Sequence, residues 1–217
     1  MSIVPCPLCR SEEARYFYHA FSREYHRCSN CFLVFVPEEF YSSQITKLST
    51  NTSHYKSSAK FRKVGAKQYF TLLTNQVLKR APEGAIGLDY NCGEFSKVKD
   101  LFSKNGNLIK IYDQEYHNNE ILLEDRYDFI TVIHQIETYQ NPREKFDLFY
   151  KLLSHQKSVL AIWATPLRDL SSFNSWPFMK QSHHINFFHE DTFHWIAKKY
   201  NYQCEILSDG IVIFTQI

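Results

Sequence analysis

The stretch that decides the fold is "GLDYNCGEFS", Gly87 to Ser96. Its first half closes an apolar run of the length of a buried strand. Its second half is polar and runs into an amphipathic segment, with a loop between. In folds that bind nucleotides, glycines in such a loop adopt positive φ and let the backbone approach the ligand. Here only one glycine, Gly93, lies beyond the strand. Either this is a ligand loop that has lost most of its glycines, or it is an ordinary strand-to-helix turn.

Strands and helices alternate outward from that point. "AIGLDY" reads as a short buried strand and "EFSKVKDLFSKNG" as an amphipathic helix stopped by Gly106. "NLIKIYD" and "RYDFITVIH" follow as strands, then "PREKFDLFYKLLS" as a helix with proline at its start. "SVLAIWAT" is a fourth strand, and "HEDTFHWIAKKY" a helix with acids in its first turn. "YQCEIL" and "IVIFTQ" flank Ser208-Asp209-Gly210, a hairpin signal. Upstream, Phe61, Val64, Tyr69, Leu72, Leu73, Val77 and Leu78 recur at helical steps until Pro82 and Gly84. The polar run 42–58 is the best linker candidate. Alternation of this kind predicts an α/β fold with a mostly parallel sheet, and the terminal hairpin adds one antiparallel strand.

The 217 residues suit one sizeable domain plus a small appendage, or two small domains. Lys and Arg total 25 against 23 Asp and Glu, a balance with no electrostatic footprint for nucleic acid or an anionic membrane. "MSIVPCPLCR" has no apolar signal-peptide core and no apolar run approaches membrane-spanning length, so a cytoplasmic protein is expected. Four of the 6 cysteines, Cys6, Cys9, Cys28 and Cys31, form two C-x2-C turns in the first 31 residues. Two such knuckles let four thiolates reach one metal, the pattern of a closed structural zinc site. Two disulfides, or four unrelated thiols, are the competing readings, and the lack of a secretory signal disfavours disulfides. "ARYFYHAFSREYHRC" supplies strands between the knuckles, around a turn near Ser22 and Arg23. Arg10, Arg23 and Arg27 are placed to soften the surplus negative charge of four thiolates. The expected organisation is a zinc ribbon over residues 1–40 and an α/β domain over 41–217, with a helical lead-in at about 56–80.

These residues resemble a class I S-adenosylmethionine-dependent methyltransferase with an N-terminal zinc ribbon. "CPLC" and "CFLVFVP" are similar to the family's two knuckles, with Phe32 in a glycine's place. Leu88 to Phe95 resembles a cofactor motif of the type LDFGCGPG. "IYDQ" carries its strand-end acid, and "YDFITVIHQIETYQNP" resembles its fourth motif. Trp176, "HHINFF" and "TFHWIA" are similar to its C-terminal signature. The resemblance implies a seven-stranded Rossmann-like sheet with the cofactor at the carboxyl ends of its strands. Asp89, Asn91, Gly93 and Phe95 would line the methionine part, Asp113 would accept from the ribose hydroxyls, and His134 and Gln135 would pass near the methyl donor. The expected function is methyl transfer to a small or carrier-bound molecule. Asn91 and Phe95 replace the motif's flanking glycines, however. Asparagine tolerates a left-handed backbone, whereas the Phe95 ring points either into the site or away from it. The alternative is therefore a degenerate methyltransferase fold serving as a binding or assembly module. A zinc-ribbon adaptor for nucleic acid is a third reading, opposed by the near-neutral charge.

Candidates for a general base are His134, His184 and Tyr55, with His183 and His184 on opposite faces if that segment is a strand. Structural, hydrogen-bonded histidines are the plainer reading. "HEDTFH" is not a zinc-protease motif, because histidines five apart lie on different helix faces. The substrate, the methyl-accepting atom and the oligomeric state have no sequence signature.

Overall fold

The structure is a computed structural model and describes residues 4–41, 66–153, 156–167, 169–171, 173–207 and 210–217. Tyr55, the linker stretch and the start of the helical lead-in lie outside these residues. So do Ser208 and Asp209 of the terminal hairpin.

The N-terminal segment forms a hairpin of β1 (Ala14–Ala20) and β2 (Arg23–Cys28). Its two-residue turn, Phe21 and Ser22, has φ of 54° and 57°, the mirror-image turn that matches strand twist. Each knuckle closes with a backbone bond, Arg10 N–H to Cys6 O at 2.8 Å and Phe32 N–H to Cys28 O at 3.0 Å. Phe32 adopts φ 64°, which explains why a glycine is natural there. β3 (Val34–Phe35) extends the sheet, and β8 (Asn186–Phe187), from far along the chain, completes it in the order β1-β2-β3-β8. The ribbon thus borrows a strand from the α/β part.

The main sheet contains β4 (Ile86–Tyr90), β5 (Leu108–Tyr112), β6 (Phe129–Ile133), β7 (Val159–Trp163), β9 (Tyr202–Ile206) and β10 (Ile211–Gln216). Its order is β5-β4-β6-β7-β10-β9, with β4 to β7 parallel and β10 antiparallel to both neighbours. The α/β class and the terminal antiparallel strand are as expected, but the described sheet has six strands rather than seven. Between β5 and β6 lie only a bridge, Asp113 to His117, and one 3-10 turn, Glu120–Leu123. Adding a parallel strand there needs two crossovers of a dozen or more residues each. β5 is consequently the sheet's edge.

Helix α1 (Ala66–Leu78) covers one face, with Phe70, Leu73 and Val77 against Trp163 and Ile213. Helices α3 (Pro142–Leu152) and α4 (Glu190–Tyr200) cover the other. The helix expected over residues 94–106 shrinks to α2 (Lys99–Ser103), because the preceding residues form a loop tied by the Ser96 hydroxyl, which accepts from Lys99 N–H at 3.0 Å. α2 is fixed by Phe102, whose ring stacks on Phe129 at 4.4 Å. Phe129 in turn fills the space over Gly87, where an added Cβ would lie 2.1 Å from its ring. Gly87→Ala is expected to destabilise the protein by about 1–3 kcal/mol through overpacking, read as a lower denaturant midpoint. An unchanged midpoint would refute this packing. Among the described residues no helix is long and apolar enough to cross a membrane.

Candidate functional site

The turn after β4 stands at the carboxyl ends of three parallel strands. Asn91 has φ 55°, the left-handed conformation its type tolerates, and its N–H donates to Tyr112 O at 2.8 Å. Gly93 has φ 76°, and nothing lies within 4 Å of where a Cβ would be. Phe95 is 65 % exposed with its ring turned outward, 6.0 Å from the Lys97 ammonium. It does not obstruct the turn.

Two carboxylates are buried beneath this turn. Asp89 accepts from the hydroxyls of Ser96 and Thr131, both at 2.6 Å. Burial pushes its carboxyl up to about 6, the two hydroxyls pull it down, and the charge of Asp113 adds to the rise. Asp113, fully buried, accepts from the backbone N–H of Gly93 at 2.7 Å, Glu115 at 3.0 Å and Tyr116 at 3.2 Å. His117 Nε2 donates to the Glu94 carbonyl at 2.9 Å. Gly93 and Glu94 are thus pinned to the 113–117 turn. The cavity left between Asp89, Asn91, Gly93, Lys97, Ile133 and Gln135 is about 20 Å³, room for one water. Ligand pockets hold roughly 300 Å³ or more. The residue types suit S-adenosylmethionine; as the turn lies, Asp113 already accepts three backbone N–H groups, and the described lining encloses room for one water.

Beside the end of β4 stand residues that sequence reading missed. Lys145 Nζ bonds to Tyr90 Oη at 2.9 Å and lies 5.5 and 5.8 Å from the rings of Tyr90 and Tyr139. Tyr90 stacks on Tyr112 at 5.3 Å. His117 was also missed, and it has no local signal because its contact exists only once two loops meet. Thr131 was legible, as a polar residue in an apolar strand opposite Asp89.

Of the other candidates, His134 and His184 lie near enough for the charge of one to act on the other, but neither lines the small cavity. His134, with φ 52°, packs its ring on Trp163 at 4.4 Å, while its neighbour Gln135 lines the small cavity. Burial holds the His134 imidazole down to about 4. His183 and His184 sit in a turn rather than on a strand, with their rings perpendicular at 4.7 Å. His184 stacks on Phe178 at 5.4 Å. Burial first, then the charges of His183, His134 and Arg23, hold it down to about 3. Glu137, buried after β6, accepts from Thr165 N–H at 2.9 Å, and burial pushes it up to about 7. His189 caps α4 through its Nδ1, and His194 is exposed.

At the far end of the ribbon, Cys6, Cys9, Cys28 and Cys31 hold their sulfurs within 4.8 Å of one another. Cys6 and Cys31 are 3.5 Å apart, as are Cys9 and Cys28, and all four are free thiols. Tetrahedral zinc at about 2.3 Å from sulfur places its ligands about 3.8 Å apart, so the quartet fits that metal. Hydrogen bonds within the quartet pull Cys9 and Cys28 down and push Cys6 and Cys31 up. Of the three arginines near it in sequence, Arg23 turns elsewhere, to carbonyls of residues 179–184.

The profile of a family described as a methyltransferase domain matches residues 62–206. No curated protein matches the sequence significantly. Among solved structures, a 1,6-didemethyltoxoflavin-N1-methyltransferase of Burkholderia thailandensis, with bound 1,6-didemethyltoxoflavin and S-adenosylhomocysteine, is 10% identical. The match covers 94% of this chain and 99% of that one at TM-score 0.55. A SAM-dependent methyltransferase of Archaeoglobus fulgidus is 16% identical over 72% of this chain and 78% of that one, also at 0.55. An O-methyltransferase family protein of B. thailandensis is 9% identical at 0.55, over 70% of this chain and 56% of that one. The chain thus spans little over half of that protein. At such identities the likeness is one of fold.

Proposed function

The chain belongs to the methyltransferase-domain family, the class I S-adenosylmethionine-dependent methyltransferases, and from that premise we propose that it transfers a methyl group to a small or carrier-bound molecule, admitting its cofactor only when the 91–95 turn leaves Asp113. The observation that carries this reading is the acid pair. Asp89 and Asp113, 1% and 0% exposed, sit at adjacent strand ends and face one turn. That turn is held to residues 113–117 by two bonds, from Gly93 N–H to Asp113 and from His117 to the Glu94 carbonyl.

Breaking those two bonds costs about 2–4 kcal/mol, one being charge-assisted. The binding-competent fraction falls accordingly, and apparent affinity falls by roughly 30- to 1,000-fold against an open cleft. Calorimetric titration of the zinc-loaded protein with S-adenosylmethionine and S-adenosylhomocysteine tests this. Weak binding is expected, and His117→Ala, which removes about 1 kcal/mol of the restraint, is expected to tighten it about fivefold. No binding to either ligand at millimolar concentration, in both folded proteins, would sink the reading.

A binding or assembly module is the second reading. The room for one water and the engaged Asp113 favour it. In either case the four cysteines form a closed zinc site with a structural role, and the division near residue 40 separates that ribbon from the α/β part.

A further inference from the structure

Arg23 opens β2 and is 6% exposed, yet no carboxylate lies within ion-pair reach among the described residues. Burying a guanidinium costs several kcal/mol unless its donors are matched. Here Nε donates to Tyr25 Oη at 2.7 Å, and Nη1 to the carbonyls of Ser182 and His184, both at 3.2 Å. Nη2 donates to the Gln181 carbonyl at 3.2 Å and to the Met179 carbonyl. Four carbonyls of one short loop therefore converge on one cation. The loop keeps this shape because the cation is there, and the cation is tolerated because the loop has this shape.

The clamped loop runs from the 3-10 turn Pro177–Lys180 to His184. It then docks on both halves of the molecule. Ile185 O accepts from Val36 N–H of the ribbon, and Ile185 N–H donates to Glu137 O, both at 2.9 Å. Asn186 Nδ2 donates to Tyr139 O at 2.6 Å. The loop thus lies along the 134–139 turn that follows β6, whose Gln135 lines the small cavity.

We propose that Arg23 is a positioning residue for the acceptor side of the site: the ribbon presents it as a clamp on the 179–184 loop, and through that loop it fixes His183 and His184 beside the turn that follows β6. This inference rests on the methyltransferase reading, which alone makes that edge the acceptor side. It gives the ribbon a task beyond its own folding, since the metal end stiffens a hairpin whose other end holds the loop. A lysine cannot substitute, because one ammonium has three donors and no planar fork.

The test uses the full-length, zinc-loaded protein. Arg23→Met keeps the apolar stem and removes all five donors. Tyr25→Phe removes one partner only. Zinc content, S-adenosylhomocysteine affinity and the NMR titration of the His183 and His184 rings are measured for each. The groups facing His184 are His183, His134 and Arg23, so its titration reports how the loop is seated. Zinc content and cofactor affinity are expected to stay within about twofold of the parent. The His184 midpoint is expected to rise by at least about one pH unit in Arg23→Met as the ring gains water and loses a neighbouring cation, and by less in Tyr25→Phe. An unmoved His184 in zinc-loaded Arg23→Met overturns the clamp. If Arg23→Met sheds zinc or unfolds, an unmoved His184 in Tyr25→Phe overturns it instead. Absence of S-adenosylhomocysteine binding by the parent would sink the methyltransferase reading, while the His184 comparison would still decide the clamp.

Discussion

A Cys28→Ser chain is expected to lose its zinc and, with it, the cooperative fold of the whole molecule rather than of the ribbon alone. Cys28 ends β2, and its sulfur is fully buried. Structural zinc in small cysteine sites contributes roughly 10–16 kcal/mol of folding free energy, whereas an entire domain has about 5–15 kcal/mol to lose. An isolated ribbon would unfold by itself. This one is wired into the α/β part. Cys6, Leu8, Cys28 and Cys31 belong to the same apolar cluster as Phe146, Phe188 and Tyr200. β3 pairs with β8, and Arg23 holds residues 179–184. Losing the ribbon would expose that cluster and free the only described loop carrying His183 and His184. Thermal unfolding followed by Trp fluorescence, with zinc counted colorimetrically, is the measurement. One zinc and a single transition are expected for the parent chain, and no cooperative transition for the variant. A variant that keeps the parent's main transition within a few degrees would show that the ribbon is an independent appendage.

The second large effect is expected at Asp113. Asp113→Ala strips the acceptor from three backbone N–H groups in a fully buried position. Each orphaned donor costs about 1–3 kcal/mol unless water reaches it. The variant is therefore expected to lose several kcal/mol of stability as well as all cofactor affinity. Asp113→Asn separates the two effects, since an amide oxygen of the same shape still accepts from part of the set. That variant should fold with a lowered denaturant midpoint and still fail to bind S-adenosylhomocysteine, because an amide presents one acceptor where the carboxylate presents two. Affinity unchanged from the parent would move the ribose elsewhere. Phe95→Gly is the control: its outward ring gives no reason for weaker binding.

The glycine-poor turn keeps two left-handed residues. Asn91 takes the left-handed place of a glycine, and Gly93 keeps its own. Phe95 turns out to solvent, so the replacement that looked most damaging leaves the turn itself unobstructed. What holds the turn down is His117 and the backbone around Asp113, which the sequence reading had no means to find. The shortened segment between β5 and β6 belongs to the same lesson. Counting strands from the family resemblance implied seven, but residues 113–128 are too few to cross over and return.

The sequence by itself determined the alternation of strands and helices, the four thiols at metal-ligand spacing and the two acids at the ends of β4 and β5. These are local properties. Hydrophobic period, turn chemistry and cysteine spacing act over a few residues, and burial preserves them. Only the tertiary structure decided that the acid at 113 would spend its oxygens on the Gly93 turn, that Arg23 would leave the cysteines for a loop about 160 positions away, and that β8 would complete the ribbon. Those contacts depend on which polar groups meet once the apolar faces have packed. A buried donor must then take whatever acceptor lies within about 3 Å of it, however distant that acceptor is along the chain.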